Sequence, residues 1–481
     1  MSGPSDQAAQ SQSGTYGPAI DPLQAAESAA GRRWGAVGAV IATGVGATAL
    51  SWFIAQHSLL GARWHLIVLV ATVWLPLWAI GAWAATRIEP RRLALGLVLL
   101  FALTTRLAAA TGTTPSISND LYRYGWDAHV QLAGIDPYRY PPAAAQLRDL
   151  RTATQFPNPA GCAHIGDRPG CTTMNRADVR TIYPPVAEVW FDLVALLAPG
   201  NDARQWQIAG GLVDMATIGL LMVGLSRSGR DLRSAAWYAL SPVAVIEFAG
   251  NGHVDGLGLL LLVAALLALQ RGRRTLAGFL IGLAAMVKLY PGIAVVAAWR
   301  RGGWRMLVAA AATAVVSYAP HVLAVGTRVV GYLPGYLTEE HYGSGGRFLL
   351  VGILPLPSHV TTVLAVLIVL GVCGWVLSHD LEPAAGLALL IGAALLVATP
   401  VQPWYAAAAG GIGVLAAAPW WFLPAMAGEV YYAAIILDAR HQVGIGRLGY
   451  GAALLLIAGC EVIRRRRRLA PGHGPLINPT G

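Results

Sequence analysis

The sequence predicts an all-α, multi-pass membrane protein, a bundle of about 12 transmembrane helices with a large first external loop carrying amphipathic helices. Three observations lead there. Of the 481 residues, 56% are hydrophobic and only 12% charged, too few charges to clothe a water-soluble domain of this length. The apolar residues fall in runs close to the roughly 20 needed to cross hydrocarbon. The surplus of basic residues, 34 Lys+Arg against 24 Asp+Glu, lies in short segments beside those runs. That is the pattern of membrane topology and not of nucleic-acid binding, so lipids and no nucleic acid are the expected surroundings.

Residues 1–31, rich in Ser, Gln, Gly and Pro, read as a disordered tail. Arg32 and Arg33 precede an apolar run over 34–55, which is long for a signal peptide, lacks a small-residue cleavage site and is taken as the first span. Runs over 64–85 and 93–110 follow, and Arg87, Arg91 and Arg92 between them place that loop and the tail inside. Three crossings deliver the chain outside, where a polar external loop runs over 111–184. Five arginines, Arg464 to Arg468, open a basic tail over 464–481 and hold it inside as well. The membrane domain is therefore 32–463, with both termini cytoplasmic and a cell-membrane location.

Counting back from the C-terminus gives spans over 446–463, 420–437, 405–418, 383–398 and 360–377, a second external loop over 327–357, and a span over 304–325. In the middle, 237–270 goes out and back about a turn at Gly250 to Asp255. The run 275–299 has basic loops at both ends and so cannot cross once; a broken, re-entrant pair hinged near Lys288 and Pro291 satisfies the charges. The run 185–198 is short and dips in. No internal repeat is evident. Small-residue pairs such as Gly35 and Gly38, or Gly410 and Gly413, are expected to let helices approach closely. Cys162 and Cys171 share a polar segment and can pair in an oxidising compartment; Cys373 and Cys460 lie in apolar runs as inert filler.

In the first loop, residues 118–129 read as a short amphipathic helix with Asn119 as N-cap and Gly134 as its end signal. Helical spacing puts Asp120, Arg123 and Asp127 on one face and Tyr122, Trp126 and His129 on a neighbouring stripe. The stripe either anchors the loop at the water–lipid boundary or stacks a ring on a sugar face. Next come Gly134-Ile135-Asp136-Pro137-Tyr138 and Tyr140-Pro141-Pro142, and later Tyr183-Pro184-Pro185, whose prolines suit the first turn of a membrane helix.

The string Asp120-Leu121-Tyr122-Arg123-Tyr124-Gly125-Trp126-Asp127, with Gly134 to Tyr138 and Tyr183 to Pro185, resembles the first external loop of the C-type glycosyltransferase (GT-C) superfamily. It is most similar to the family 87 type of mannosyltransferases that use polyprenyl-phosphate sugars. Gly250 to Asp255, Lys288-Leu289-Tyr290-Pro291 and Gln402-Pro403-Trp404-Tyr405 resemble later landmarks, and the resemblance runs from about residue 93 to 463. It implies a GT-C-like bundle and an inverting transferase whose loop carboxylate, Asp120, takes the proton from an acceptor hydroxyl on a glycolipid or glycan. Asp127 is the candidate second carboxylate. Where the family often has two adjacent acidic residues this chain has Asn119-Asp120, which puts a two-carboxylate metal site in doubt. The cysteines and the long insert between the Tyr-Pro-Pro triplets look peculiar to this chain.

An ionised group at the bilayer centre costs about 2.5 to 3.5 kcal/mol on insertion scales and so needs a partner or a task. Lys288, the only lysine in the chain, either faces the donor phosphate as a point charge or snorkels to the inner surface. Arg347, beside a glycine-rich turn, suits bidentate phosphate binding; His253 and Arg123 are further candidates for the phosphate, and Tyr122, Trp126, Tyr183 and Trp404 for stacking on sugar or lipid. Asp214, Glu247 and Glu429 read as neutral or paired structural groups. No resident cofactor is expected; a divalent ion held by Glu339, Glu340 and His341 with Asp120 is chemically conceivable, but a solvated acidic loop is the preferred reading. The rival functions are a transporter or lipid flippase, which would place its ligand groups within repeated halves, and a non-catalytic assembly protein on the same fold.

Overall fold

Backbone polar groups carried into hydrocarbon must bond within their own segment, and the described elements are helical, with no strand among the described residues. The computed structural model describes residues 22–57, 70–112, 118–164, 168–198, 200, 203–343 and 347–469. Most of the expected N-terminal tail, the start of the run over 64–85, the glycines at 345–346 and most of the basic C-terminal tail lie outside them. The main helices are α1 (Pro22–Ala55), α2 (Leu75–Ala85), α3 (Arg91–Ala109), α4 (Asp120–Leu132), α5 (Pro185–Leu197), α6 (Ala203–Arg227) and α7 (Asp255–Gln270) in the first half. Then follow α8 (Arg274–Val287), α9 (Ala294–Val325), α10 (Ser358–Ser378), α11 (Pro383–Val397), α12 (Pro403–Leu415), α13 (Leu423–Ile436) and α14 (Gln442–Leu469).

Among the described residues six helices are long and apolar enough to cross a membrane, or seven if the bent pair 242–250 and 255–270 is one span. This makes a multi-pass membrane protein but does not reach the expected twelve. The shortfall has a visible cause. Helices α11, α12 and α13 have 15, 13 and 14 residues, each with proline in its first turn. At 1.5 Å per residue they extend only about 20 Å, short of a hydrocarbon core about 30 Å thick. At the other end, α1 starts at Pro22, so the last residues assigned to a disordered tail are helical.

The two basic loops around 275–299 are accommodated by a break. Helix α8 ends where Lys288 turns extended, a 3-10 turn follows over Tyr290–Ile293, and α9 then continues past a second kink at Gly303, whose φ of 62° is left-handed. Beyond that kink α9 packs back along α8: a Cβ at Gly278 would lie 2.1 Å from the Met306 carbonyl oxygen. The bundle centre is α12, of which every residue but Tyr405 is buried. Its glycines are the reason it can be central, since a Cβ at Gly410 would fall 2.4 Å from the Phe422 ring and one at Gly413 2.6 Å from the Ala418 carbonyl oxygen. Gly35 and Gly38, by contrast, face open space and make no close helix approach.

Between α3 and α6 a buried charge pair meets the requirement for a partner. Arg106 lies 2.7 Å from Asp214, both almost wholly buried; the Tyr238 hydroxyl donates to the same carboxylate, and Arg106 also donates to the Ala239 carbonyl. Asp214 is thus a paired structural group. Breaking such a pair from one side leaves a charge stranded, at a cost of about 3–5 kcal/mol. Asp214→Ala should therefore lower the thermal unfolding temperature of the detergent-solubilised protein strongly, and Arg106→Leu combined with Asp214→Leu should recover most of that loss. Equal losses in the single and double variants would show that the pair itself is not what matters.

Candidate active site

Asp120 is the first residue of α4, and its backbone N–H is taken by the Ser118 hydroxyl at 3.3 Å. Asn119 makes no side-chain cap; its amide nitrogen instead donates to the Thr173 carbonyl at 3.0 Å. That bond fixes which way the Asn119 amide points, so its oxygen is free to accept from Asn175 Nδ2 at 2.9 Å. The same Nδ2 donates to Asp120 Oδ1 at 2.7 Å. One amide thus holds the Asp120 carboxylate from the loop side, and Asn175 follows closely on the segment closed by the Cys162–Cys171 disulfide. An N–H donor on that flank is unsuited to a cation, and among the described residues no three His, Cys, Asp or Glu side chains cluster as metal ligands.

Helix α4 does not lie on lipid as an interfacial anchor. Leu121, Tyr124 and Ala128 pack against Tyr183, Phe191 and Trp206, with the Tyr124 and Phe191 rings stacked 4.4 Å apart. The opposite face puts Trp126 and Val130 into a small loop core with Leu147 and Met174. The helix is therefore wedged between two apolar layers, and it ends as its sequence requires, at Gly134 with φ 79°. Trp126 is 1% exposed and is a core residue, not a stacking platform. Tyr122, half-buried, packs between the two layers. Pro185 opens α5 as its spacing predicts, and the Tyr138 hydroxyl donates to the Tyr183 carbonyl at 2.6 Å, tying the motifs on either side of the insert together.

A cavity of about 490 Å³ opens beside Asp120, between the loop and the bundle. Six sequence candidates line it: Asp120, Arg123, Tyr183, Lys288, Arg347 and Trp404. Lys288 projects from the break between α8 and α9 and does not snorkel away: its ammonium lies 3.3 Å from Asp255 Oδ2 and 4.5 Å from the Tyr405 ring centre. Arg347 is buried, paired with Glu340, donates to the Ala398 carbonyl at 3.1 Å and stacks its guanidinium over Tyr342. Glu339 pairs with Arg176 at 2.6 Å and both stay exposed, so the acidic loop is solvated as expected and is also tied to two arginines. Hydrogen bonding to Glu339 raises the Arg176 pKa above its ordinary value.

Three candidates, Arg123 among them, are placed differently from the roles assigned above. Asp127 is buried away from the cavity and ion-paired with Arg123 at 2.9 Å; burial pushes its carboxyl up, and the Arg123 guanidinium pulls it back. Arg123 reaches the cavity but holds Asp127 and the Val179 carbonyl. His253 lies behind Asp120 with its side chain fully buried and does not line the cavity. Several lining residues were missed in the sequence, notably Asn175, Arg176 and Tyr336. Tyr405 stands within a quoted motif, next to Trp404, and was a signal available to be used.

Part of this chain is similar to known proteins. Residues 181–403 match glycosyltransferase family 87. Over these residues the chain is similar to that family. The matched segment contains Tyr183, His253, Asp255, Lys288 and Arg347, and begins after Asp120, a narrower stretch than the resemblance running from about 93 to 463. A polyprenol-phosphate-mannose-dependent alpha-(1-2)-phosphatidylinositol pentamannoside mannosyltransferase of Mycobacterium tuberculosis (strain CDC 1551 / Oshkosh) is 30% identical over 167 residues. The similarity covers 34% of this chain and 37% of that protein, so the chain spans little more than a third of its curated relative. No solved structure matches.

The placement of Trp126 has a direct consequence. Trp126→Ala removes a fully buried indole from the loop core, at a cost of about 3–5 kcal/mol. Limited proteolysis should then cut within residues 143–177 at protease levels that leave the parent protein intact. An unchanged digestion pattern would return Trp126 to a surface role.

Proposed function

We propose that this chain is a membrane glycosyltransferase that moves a sugar, mannose in our reading, from a polyprenyl-phosphate donor to an acceptor hydroxyl on the non-cytoplasmic face, with inversion. One observation carries the proposal: a single cavity is lined by the Asp120 carboxylate and by basic side chains that include Lys288 and Arg347. A sugar–phosphate bond cleaved by an incoming hydroxyl needs a proton acceptor on one side and positive charge on the other. The family 87 segment and the named relative support the reaction class and the donor. The arginine-rich loops support the assignment of sides.

In this mechanism the donor phosphate lies against Lys288 and Arg347 while its lipid tail stays in apolar surroundings. Asp120, steadied by Asn175, orients the acceptor hydroxyl towards the anomeric carbon from the face opposite the phosphate. As the new carbon–oxygen bond forms, Asp120 takes the hydroxyl proton, and the electron pair of the broken bond leaves with the phosphate oxygen. Negative charge grows there, and the fixed cations lower the barrier more than the weak base does. Tyr183 and Trp404 offer ring surface beside the sugar. We propose no resident cofactor or metal for this reaction, and none of its steps calls on one.

The test uses the full chain in lipid nanodiscs with labelled polyprenyl-phosphate mannose and extracted membrane glycolipid as acceptor. Asp120→Asn should lower kcat by about 100-fold to 10,000-fold with donor binding retained. Lys288→Met should raise donor KM and also lower kcat, because its charge binds the donor phosphate and interacts more strongly with the negative charge that grows there in the transition state. Unchanged transfer by Asp120→Asn would remove that residue from the reaction. Movement of the labelled lipid across the bilayer without a new glycosidic bond would favour a flippase.

A further inference from the structure

His253 and Glu247 are buried beside the cavity, and the mechanism above does not use them. His253 occupies the break between the short helical turn over Val245–Gly250 and α7, and stacks on Trp404 with ring centres 4.0 Å apart. Its Nε2 is 3.9 Å from Asp120 Oδ2, and its Nδ1 is 2.8 Å from Glu247 Oε2 though not in the alignment of a hydrogen bond. Neither ring nitrogen is satisfied in the resting arrangement. Buried polar groups are normally bonded, so an imidazole held between two carboxylates with both nitrogens unfilled is poised for something that happens only during turnover. It is also out of reach of a phosphate in the cavity.

Resting on the transferase reading above, we infer that His253, backed by Glu247, is the proton-accepting partner of Asp120. In water an imidazole has a higher proton affinity than a carboxylate; burial lowers that of His253 at rest, and the neighbouring Asp120 and Asp255 carboxylates raise it. The step balances without any other reactant. Asp120 Oδ2 receives the acceptor hydroxyl proton as the sugar–oxygen bond forms and the phosphate leaves with its electron pair. The proton then passes to Nε2, which requires the 3.9 Å gap to close by about 1 Å, a tightening common when catalytic hydrogen bonds meet their substrate. The imidazolium then lies between two carboxylates, those of Asp120 and Glu247. When product leaves, the proton returns through Asp120 to water in the cavity. Asp255 and Lys288 also face His253, and Glu429 is hydrogen-bonded to Glu247, so these groups set the field in which the transfer occurs. His253 is on this account a positioning and relay residue, since it touches no substrate.

The experiment compares His253→Gln, Glu247→Gln, Asp120→Asn and the His253→Gln, Asp120→Asn pair in the same nanodisc assay. His253→Gln should lower kcat about 10-fold to 100-fold with donor KM within about twofold. Glu247→Gln should give a smaller loss in the same direction, and the pair should be no slower than Asp120→Asn alone, because both residues serve one proton. Added imidazole should restore part of the activity of His253→Ala, which a purely structural role would not allow. An unchanged kcat in His253→Gln, or a loss that follows Tm and KM with no rescue in His253→Ala, overturns the relay while Asp120→Asn still upholds the transferase. A parent protein without transfer, or an active Asp120→Asn, overturns both.

Discussion

Charge in a medium that cannot solvate it must be matched by charge, and most of this structure follows from that constraint. The Arg106–Asp214 pair joins α3 to α6, and the Lys288–Asp255 pair joins the break after α8 to the start of α7. Each pair fixes two elements relative to one another with a precision that apolar packing in lipid does not supply, because lipid tails offer helices as good a contact as other helices do. The two pairs differ in one respect. Arg106 and Asp214 are sealed into the bundle, whereas Lys288 opens onto a cavity, so the same constraint yields a joint in one place and a reactive surface in the other.

The cavity exists because helices stop short. Breaks at Lys288, at residues 251–254 and around Pro400 to Pro403 leave non-helical backbone that could not face lipid; the first and the last border the space beneath α4, and the second lies behind Asp120. The loop above it has a core of its own, built from Trp126, Leu147 and Met174, and is closed by the Cys162–Cys171 bond. Asn175 connects that core to Asp120. The carboxylate is therefore held from above by the loop and from behind by the bundle, where His253 waits. A rigid mounting of this kind matters for a weak base, whose contribution depends on alignment more than on proton affinity.

Much of this was legible in the order of residues. Proline in Tyr183-Pro184-Pro185 and glycine at 134 marked helix ends correctly, because both act through their own backbone. The lone lysine and the basic loops around 275–299 located the break after α8 by charge alone. The stripe of Tyr122 and Trp126 was misread, since an aromatic at helical spacing looks the same whether its neighbour is lipid, sugar or a loop core built from later segments. Asn175 and Arg176 carried no signal, lying in an insert without periodicity, and the expected twelve spans are not reached among the described residues because apolar composition does not measure how long a helix remains unbroken.

By itself the sequence determined the membrane character, the helical class, the helix ends and the small set of charges too costly to be idle, since each of these follows from a residue's own chemistry and that of its near neighbours. Only the tertiary structure decided which charges meet. That Asp120 shares a cavity with Lys288 and Arg347 and that His253 stands behind the carboxylate depend on segments more than a hundred residues apart being folded together. Local spacing, which repeats every few residues, carries no information about contacts at that range.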